Sequence, residues 1–279
     1  MLNSIDTRRP PKRAVVVTFD DGYADNFLNA RPLLEQFDIP AAVFVASGYL
    51  NSRGFWWDEL DAVLLRPGLL PGTLRLNVSG KTCEWDLGDS VDYNIAQSYE
   101  NRRWRPWKSE TPTARHKVYR ELYQLMHSLT DDERQQVRED LLTWAGESHT
   151  DPNDRVLSSR ELSELARDGL IEIGSHTVMH PRLSSLSAKL QEDEISRSRA
   201  DLEEVLEREV ASFAYPYGQS SDYNASTISL LKKQGFRCAF SAENGKVHTR
   251  TDRFQLPRVQ VSDVDGDTFD RQLREWVRS

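Results

Sequence analysis

The sequence predicts an α/β fold with a mostly parallel sheet, and three observations carry that prediction. Short apolar runs of strand length alternate with amphipathic stretches of helix length. The chain opens as strand, helix, strand with short loops between, the pattern of a parallel βαβ unit. Residues with chemical capacity, namely Asp20, Asp21, His176, His180 and 215–218, fall just after predicted strands, where α/β folds gather their sites.

Taken in order, residues 14–18 read as a strand buried on both faces, because the run is unbroken in its apolar character. Residues 25–37 read as a helix with Phe27, Leu28, Leu33, Leu34 and Phe37 on its inner stripe, and with a kink or restart at Pro32. Residues 41–45 (AAVFV) form the second buried strand. From about 48 to 154 the alternation breaks. A short helix opens at Trp56, a small hairpin spans 74–78 and 82–87, and two amphipathic helices cover 113–129 and 131–144. This stretch reads as an insertion dividing the main domain into 1–47 and 155–279.

The regular pattern then resumes. Ser158 and Glu161 form a capping box for a helix closed by Gly169 as its C′ residue. Strands follow at 170–173, 211–214, 237–240 and 258–261, and helices at 188–208, 223–234 and 266–277. The helix at 188–208 carries Ile195, Leu202, Val205 and Leu206 on one side.

The chain has 279 residues, 38% hydrophobic and 29% charged, as expected of a soluble globular protein. Its formal net charge of −8 argues against nucleic acid as the main partner. The basic run at 102–108 (RRWRPWK) is local and reads as a solvated loop or edge. Cys83 and Cys238 lie far apart and outside any metal-type pair, so free thiols in a reducing compartment are expected. No apolar run is long enough to span a bilayer, and the first dozen residues carry no secretory apolar core, so a cytoplasmic location is expected.

Residues 15–22 read VVVTFDDG: an apolar strand ending in two adjacent carboxylates and a glycine. Asp-Gly is also ordinary turn chemistry. Two acids held so close are stabilised when a cation lies between them or one stays protonated. Far downstream, 172–180 read EIGSHTVMH, a second strand ending in His-x-x-x-His. A single helical turn after that strand would bring both imidazoles to one side, and Pro181 disfavours a longer helix. Two histidines and a carboxylate form a recurring catalytic zinc set with a position left for water.

TFDDG at 18–22, SHTxxH at 175–180 and FAYPYG at 213–218 resemble, in order and spacing, the first three motifs of the polysaccharide deacetylase family of carbohydrate esterases. The resemblance covers 14–45 and 155–261 and leaves the insertion outside. It implies a distorted (β/α)7-type barrel with a large α+β insertion after the second strand, and removal of an N-acetyl or O-acetyl group from a sugar. It implies that Asp21, His176 and His180 bind a divalent metal, with zinc the expected ion. Asp20 would be the general base and the Tyr217 backbone N–H an oxyanion donor, with Tyr215 and Pro216 lining the substrate.

Two departures from the family pattern stand out. Ala214 occupies the place of an arginine that contacts the base, and 254–259 (FQLPRV) lacks the usual histidine acid. Arg258 is therefore expected to supply the orienting charge beside Asp20, while His248 reads as a surface residue. Trp56 and Trp57 follow the second strand and suit either stacking on a sugar or anchoring of the insertion.

The expected function is deacetylation of an N-acetylated sugar or glycan, free or linked to a nucleotide or lipid carrier, in polysaccharide biosynthesis. A metal-dependent amidase on a non-sugar substrate and a catalytically silent carbohydrate-binding scaffold are the alternatives. The insertion is expected to wall the cleft beside the strand ends.

Overall fold

The structure is a computed structural model and describes residues 14–146 and 155–278. The N-terminal dozen and the last part of the insertion, around Asp154, lie outside the described residues. Contacts divide the chain into two compact units, Met1–Ser52 with Val156–Ser279, and Arg53–Arg155.

The first unit carries a parallel sheet of six strands: β1 (Val17–Phe19), β2 (Ala41–Val45), β3 (Ile171–Ser175), β4 (Ser212–Ala214), β5 (Cys238–Asn244) and β6 (Leu256–Arg258). Spatial order follows chain order, and every pairing is parallel. Helices fall between the strands: α1 (Arg31–Gln36), α2 (Ser159–Leu165), α3 (Ala188–Leu206) and α4 (Ala225–Lys233), with α5 (Gly266–Arg278) after β6. This is the succession of a (β/α) barrel.

Strand β2 is buried throughout, and its two faces enter different clusters. Ala41, Val43 and Val45 join Ile171, Ile173, Ile195, Leu202 and Phe213 in the larger core. Ala42 and Phe44 pack on the opposite face with Ala214, Cys238, Phe240 and Leu256. The period-two alternation of a strand turns one apolar run into both layers.

Three sequence expectations need correction here. Strand β1 is an edge strand of only three half-buried residues, and Ala14, Val15 and Val16 are exposed. An edge strand has a neighbour on one side only, so an unbroken apolar run did not mean burial on both faces. In the first helical segment Leu28, Leu33 and Phe37 are exposed, while Phe27, Ala30 and Leu34 face the core. A π-helical turn at Asn26–Ala30 precedes α1 and rephases the apolar stripe. Helix α2 ends at Ala166, so Gly169 (φ 73°) serves the turn into β3 rather than the helix C′ position.

The capping box of α2 forms as the sequence indicates. Ser158 N–H donates to Glu161 Oε2 at 2.9 Å, and Glu161 N–H donates to Ser158 Oγ at 3.2 Å. The chain leaves the first unit and re-enters it at neighbouring points, with Asn51 N–H donating to Leu157 O at 3.0 Å.

The second unit has its own core, centred on Trp56, Leu60, Leu64, Leu74, Leu76, Val118, Leu122, Val137 and Leu141. It contains helices at Trp56–Leu64, Ile95–Asn101, Ala114–His127 and Asp131–Ala145 and a hairpin of Thr73–Val78 with Lys81–Asp86. Ser79 and Gly80 both take positive φ, as a tight two-residue hairpin requires. Arg115 is fully buried, and its guanidinium donates to the backbone carbonyls of Ser90, Gly68 and Val91, each at 2.6 Å. No described helix in either unit is long and apolar enough to cross a membrane.

Candidate active site

The register of the sheet sets the site. Val45 pairs with Ser175 and Ser175 with Phe213, so the residues after β2, β3 and β4 leave the sheet at one level. His176 N–H still donates to Val45 O at 3.0 Å, and Ala46 N–H donates to Asp21 O at 3.3 Å. Asp21, His176 and Ala214 thus meet at the carboxyl end of the sheet.

Asp21 sits at the centre of a three-residue turn, with φ 74° and Gly22 N–H donating back to Asp20 O at 2.9 Å. An aspartate tolerates this left-handed region better than most residues. Gly22 follows at φ 85°, where a Cβ would touch the Val45 side chain at 3.0 Å. The turn divides the duties of the two carboxylates.

Asp21 Oδ1 lies 3.5 Å from His176 Nε2 and 3.4 Å from His180 Nε2. One ligand atom from each of the three residues falls within 4.8 Å of the others. Asp21 Oδ1 is buried and accepts no hydrogen bond. In a tetrahedral site with bonds of about 2.0–2.1 Å, neighbouring ligand atoms stand roughly 3.3 Å apart. The donor types, the spacing and the unsatisfied carboxylate oxygen all fit a divalent cation.

The remaining nitrogen of His176 fixes its ring, because Nδ1–H donates to Ala214 O at 2.8 Å and leaves the Nε2 lone pair facing Asp21. Burial disfavours the charged form of both His176 and Asp21, yet the opposing attractions prevail. The contact with Asp21 and the charges of Asp20 and Asp21 raise the His176 pKa. His176, His180 and Arg258 lower that of Asp21. The cluster stabilises positive charge at its centre.

Asp20 faces a different partner. Arg258, on β6, donates from Nη1 and Nη2 to the two Asp20 oxygens, each at 2.7 Å. Its Nε donates to Ser241 O at 2.9 Å, and Nη1 reaches Thr18 Oγ1 at 3.3 Å. The guanidinium is therefore held in plane by β5, its ladder neighbour, and by β1 and the residue after it.

The His-x-x-x-His segment is not a helical turn. Thr177 (φ 68°) and His180 (φ 56°) are both left-handed, and the two imidazoles still come together, with centroids 4.8 Å apart. The Tyr217 ring lies 4.8 Å from that of His180. Tyr217 centres a second three-residue turn, with φ 61° and Gly218 N–H donating to Pro216 O at 2.7 Å.

The other candidates differ in burial and in partners. Tyr215 is 1% exposed, stacks on Tyr223 at 3.8 Å and donates its hydroxyl to Phe254 O, so it is a core residue and not a substrate contact. Pro216 is buried beside it in sequence. Trp56 is 3% exposed in the core of the second unit and offers no free face, while Trp57 stacks on Phe55 at 4.4 Å in the same unit. His248 is exposed.

Sequence reasoning missed the residues that hold the site from behind. Glu194, Ser198 and Asp201 recur along one stripe of α3 and bind, in turn, the loop after β3, the last residue of β3 and the loop after β2. Their signal was present, since polar residues at i, i+4 and i+7 beside an apolar stripe on a long helix mark a second packed face.

A family model described as polysaccharide deacetylase matches residues 7–67 and 128–239, well over half of the chain. The poly-β-1,6-N-acetyl-D-glucosamine N-deacetylase of Staphylococcus aureus (strain MRSA252) is 27% identical over 129 residues, 43% of this chain and 42% of that enzyme. The match thus spans less than half the length of the staphylococcal relative. YxkH of Bacillus subtilis (strain 168), which carries the polysaccharide deacetylase name provisionally, is 28% identical over 94% of this chain and 57% of its own. Two solved structures share the fold. Streptococcus pyogenes deacetylase PplD in complex with acetate aligns over 98% of this chain and 76% of its own, with a TM-score of 0.54 and 16% identity. IcaB from Ammonifex degensii aligns over 97% and 76%, with a TM-score of 0.53 and 19% identity. With its three motifs converging at the carboxyl end of one parallel sheet, the chain belongs to the polysaccharide deacetylase family.

Proposed function

We propose that this protein removes N-acetyl groups from a glycan containing N-acetylglucosamine, with a divalent cation, zinc by preference, held by Asp21, His176 and His180. The observation that carries the reading is the convergence of those three ligand atoms beside a second carboxylate, Asp20, that is held off them by Arg258. The activity named for the staphylococcal relatives supports a polymeric substrate.

A cation bound there supplies polarisation of the acetyl carbonyl and ready ionisation of water near neutral pH. Asp20 takes the proton of the attacking water. Both its oxygens accept from Arg258, yet a carboxylate has about four lone-pair positions and keeps room for that proton. Arg258 fixes the plane of the carboxylate through its paired bonds. The Tyr217 N–H, in the turn beside His180, serves the oxyanion as the carbonyl carbon becomes tetrahedral. Asp20 then returns its proton to the leaving amine, since 254–259 supply no histidine.

The test is acetate release from poly-N-acetylglucosamine and its oligomers. Activity should fall on chelation, return with Zn²⁺, and be absent from His176→Ala. Equal release by chelated and metal-restored protein would remove the metal from the reading, and no release from any N-acetylated glycan would remove the reaction.

A further inference from the structure

The segment joining His176 to His180 is held in a costly shape. Thr177 is β-branched and left-handed, a combination that L residues avoid, and His180 is left-handed as well. Residues held in such conformations are strained and persist only where the surroundings over-determine them.

Within the first unit the surroundings are explicit. Two successive amides, Val178 N–H and Met179 N–H, both donate to Glu194 Oε2, at 2.8 and 2.9 Å. Consecutive amides turned the same way form a concave nest for an anionic oxygen, and here the anion is a side chain of α3. On the opposite side, Ser47 N–H donates to Thr177 O at 3.1 Å and Gly48 N–H to Val178 O at 3.0 Å. Gly48 is packed so closely that a Cβ there would come within 2.9 Å of Val178 O.

The same stripe of α3 continues the support. Ser198 Oγ shares a 2.9 Å bond with Ser175 Oγ, both fully buried, directly before His176. Asp201 accepts from Ser47 Oγ at 2.8 Å and so holds the loop that clamps the segment from its other side.

We propose that Glu194 is a positioning residue for the metal loop: by holding the Val178 and Met179 amides it fixes the left-handed path that turns both imidazoles towards Asp21. The proposal rests on the reading of Asp21, His176 and His180 as cation ligands. The two bonds that Glu194 makes to this segment go to backbone amides, so its hold on the loop depends first on reach. Glutamine keeps an acceptor oxygen at the same reach, whereas aspartate keeps the charge but is one methylene short.

The experiment titrates metal-free protein with Co²⁺ and follows its visible absorption, in wild type, Glu194→Gln, Glu194→Asp and His176→Ala, with far-UV dichroism and thermal midpoints as the check on folding. Glu194→Gln should bind within about threefold of wild type with the same band envelope. Glu194→Asp should bind 10- to 100-fold more weakly, the range typical of residues that support ligands, with a shifted envelope. Wild-type affinity in Glu194→Asp, or equal losses in both variants, would overturn the proposal.

Amide exchange of metal-free wild type gives a measurement independent of any variant. Val178 and Met179 should already be protected before metal arrives, and rapid exchange at both would sink the idea. A wild type without a cobalt band, or a band retained by His176→Ala, would instead condemn the ligand assignment, and the exchange result would still stand on its own.

Discussion

Asp20 and Asp21 are chain neighbours with different electrostatic partners. The positive φ of Asp21, followed by that of Gly22, turns the chain so that adjacent side chains go to different places: Asp21 meets two imidazoles while Asp20 meets one guanidinium. Asp20→Asn preserves the shape of the side chain but cannot take a proton from water. It should leave cobalt or zinc content unchanged and lower the deacetylation rate by at least about a hundredfold. Turnover near wild type, with metal retained, would show that another group is the base. The TFDDG string made both acids visible in the sequence, and Arg258 was reachable because 254–259 offered a cation where a histidine was missing. The left-handed geometry of Asp21, Thr177 and Tyr217 was not legible, since propensity places non-glycine residues there only rarely, Asp more often than most; tertiary bonds impose it.

At the level of elements, His116 shows how the second unit responds to acid. It lies in the helix Ala114–His127, 2% exposed, with Nδ1 at 2.8 Å from Thr113 Oγ1 and the Trp104 ring edge-on at 4.6 Å. Burial lowers its pKa to about 4. The unfolded chain binds the proton more readily, so this contribution to stability is complete above about pH 6.5 and is lost as pH falls from there towards 4. Urea melts should show a loss on the order of 1–3 kcal/mol across that window, and His116→Gln should flatten it. An unchanged pH slope in that variant would show that other groups carry the acid response.

The elements differed in how plainly the sequence announced them. Strand β2, the hairpin, the two long helices of the second unit and the capping box of α2 follow from apolar period and turn chemistry. The inner stripe of α1 did not, because one π-helical turn shifts the phase of every later residue. The polar stripe of α3 showed in its spacing but lay in a helix that reads as charged and solvated, since local composition does not reveal which polar residues find partners inside the fold.

At the scale of the molecule, each unit carries its own core, and the candidate ligands all belong to the first. Arg258 is the residue whose loss should be felt most widely there. It sits on edge strand β6, and its partners Thr18 and Asp20 belong to the opposite edge of the sheet, at β1. Among the described residues β1 and β6 share no ladder. Arg258→Met should therefore lower kcat by releasing the Asp20 carboxylate and also cost about 1–3 kcal/mol of stability, as expected when a charged hydrogen-bonded pair is broken. A variant with reduced kcat and an unchanged melting curve would leave Arg258 with the catalytic duty alone.

A seam clasped by a guanidinium has a consequence for how the sheet breathes. Ladder hydrogen bonds open cooperatively and rarely, whereas a side-chain clasp can release without disturbing its neighbours. Hydrogen–deuterium exchange should show a gradient across the six strands, slowest at β2 and β3 and fastest at β1 and β6. In Arg258→Met only the two outer strands should exchange faster. The place where the barrel parts most readily is then also where the proposed base is anchored, so the protein warmed towards its melting point should lose turnover before it loses its fold.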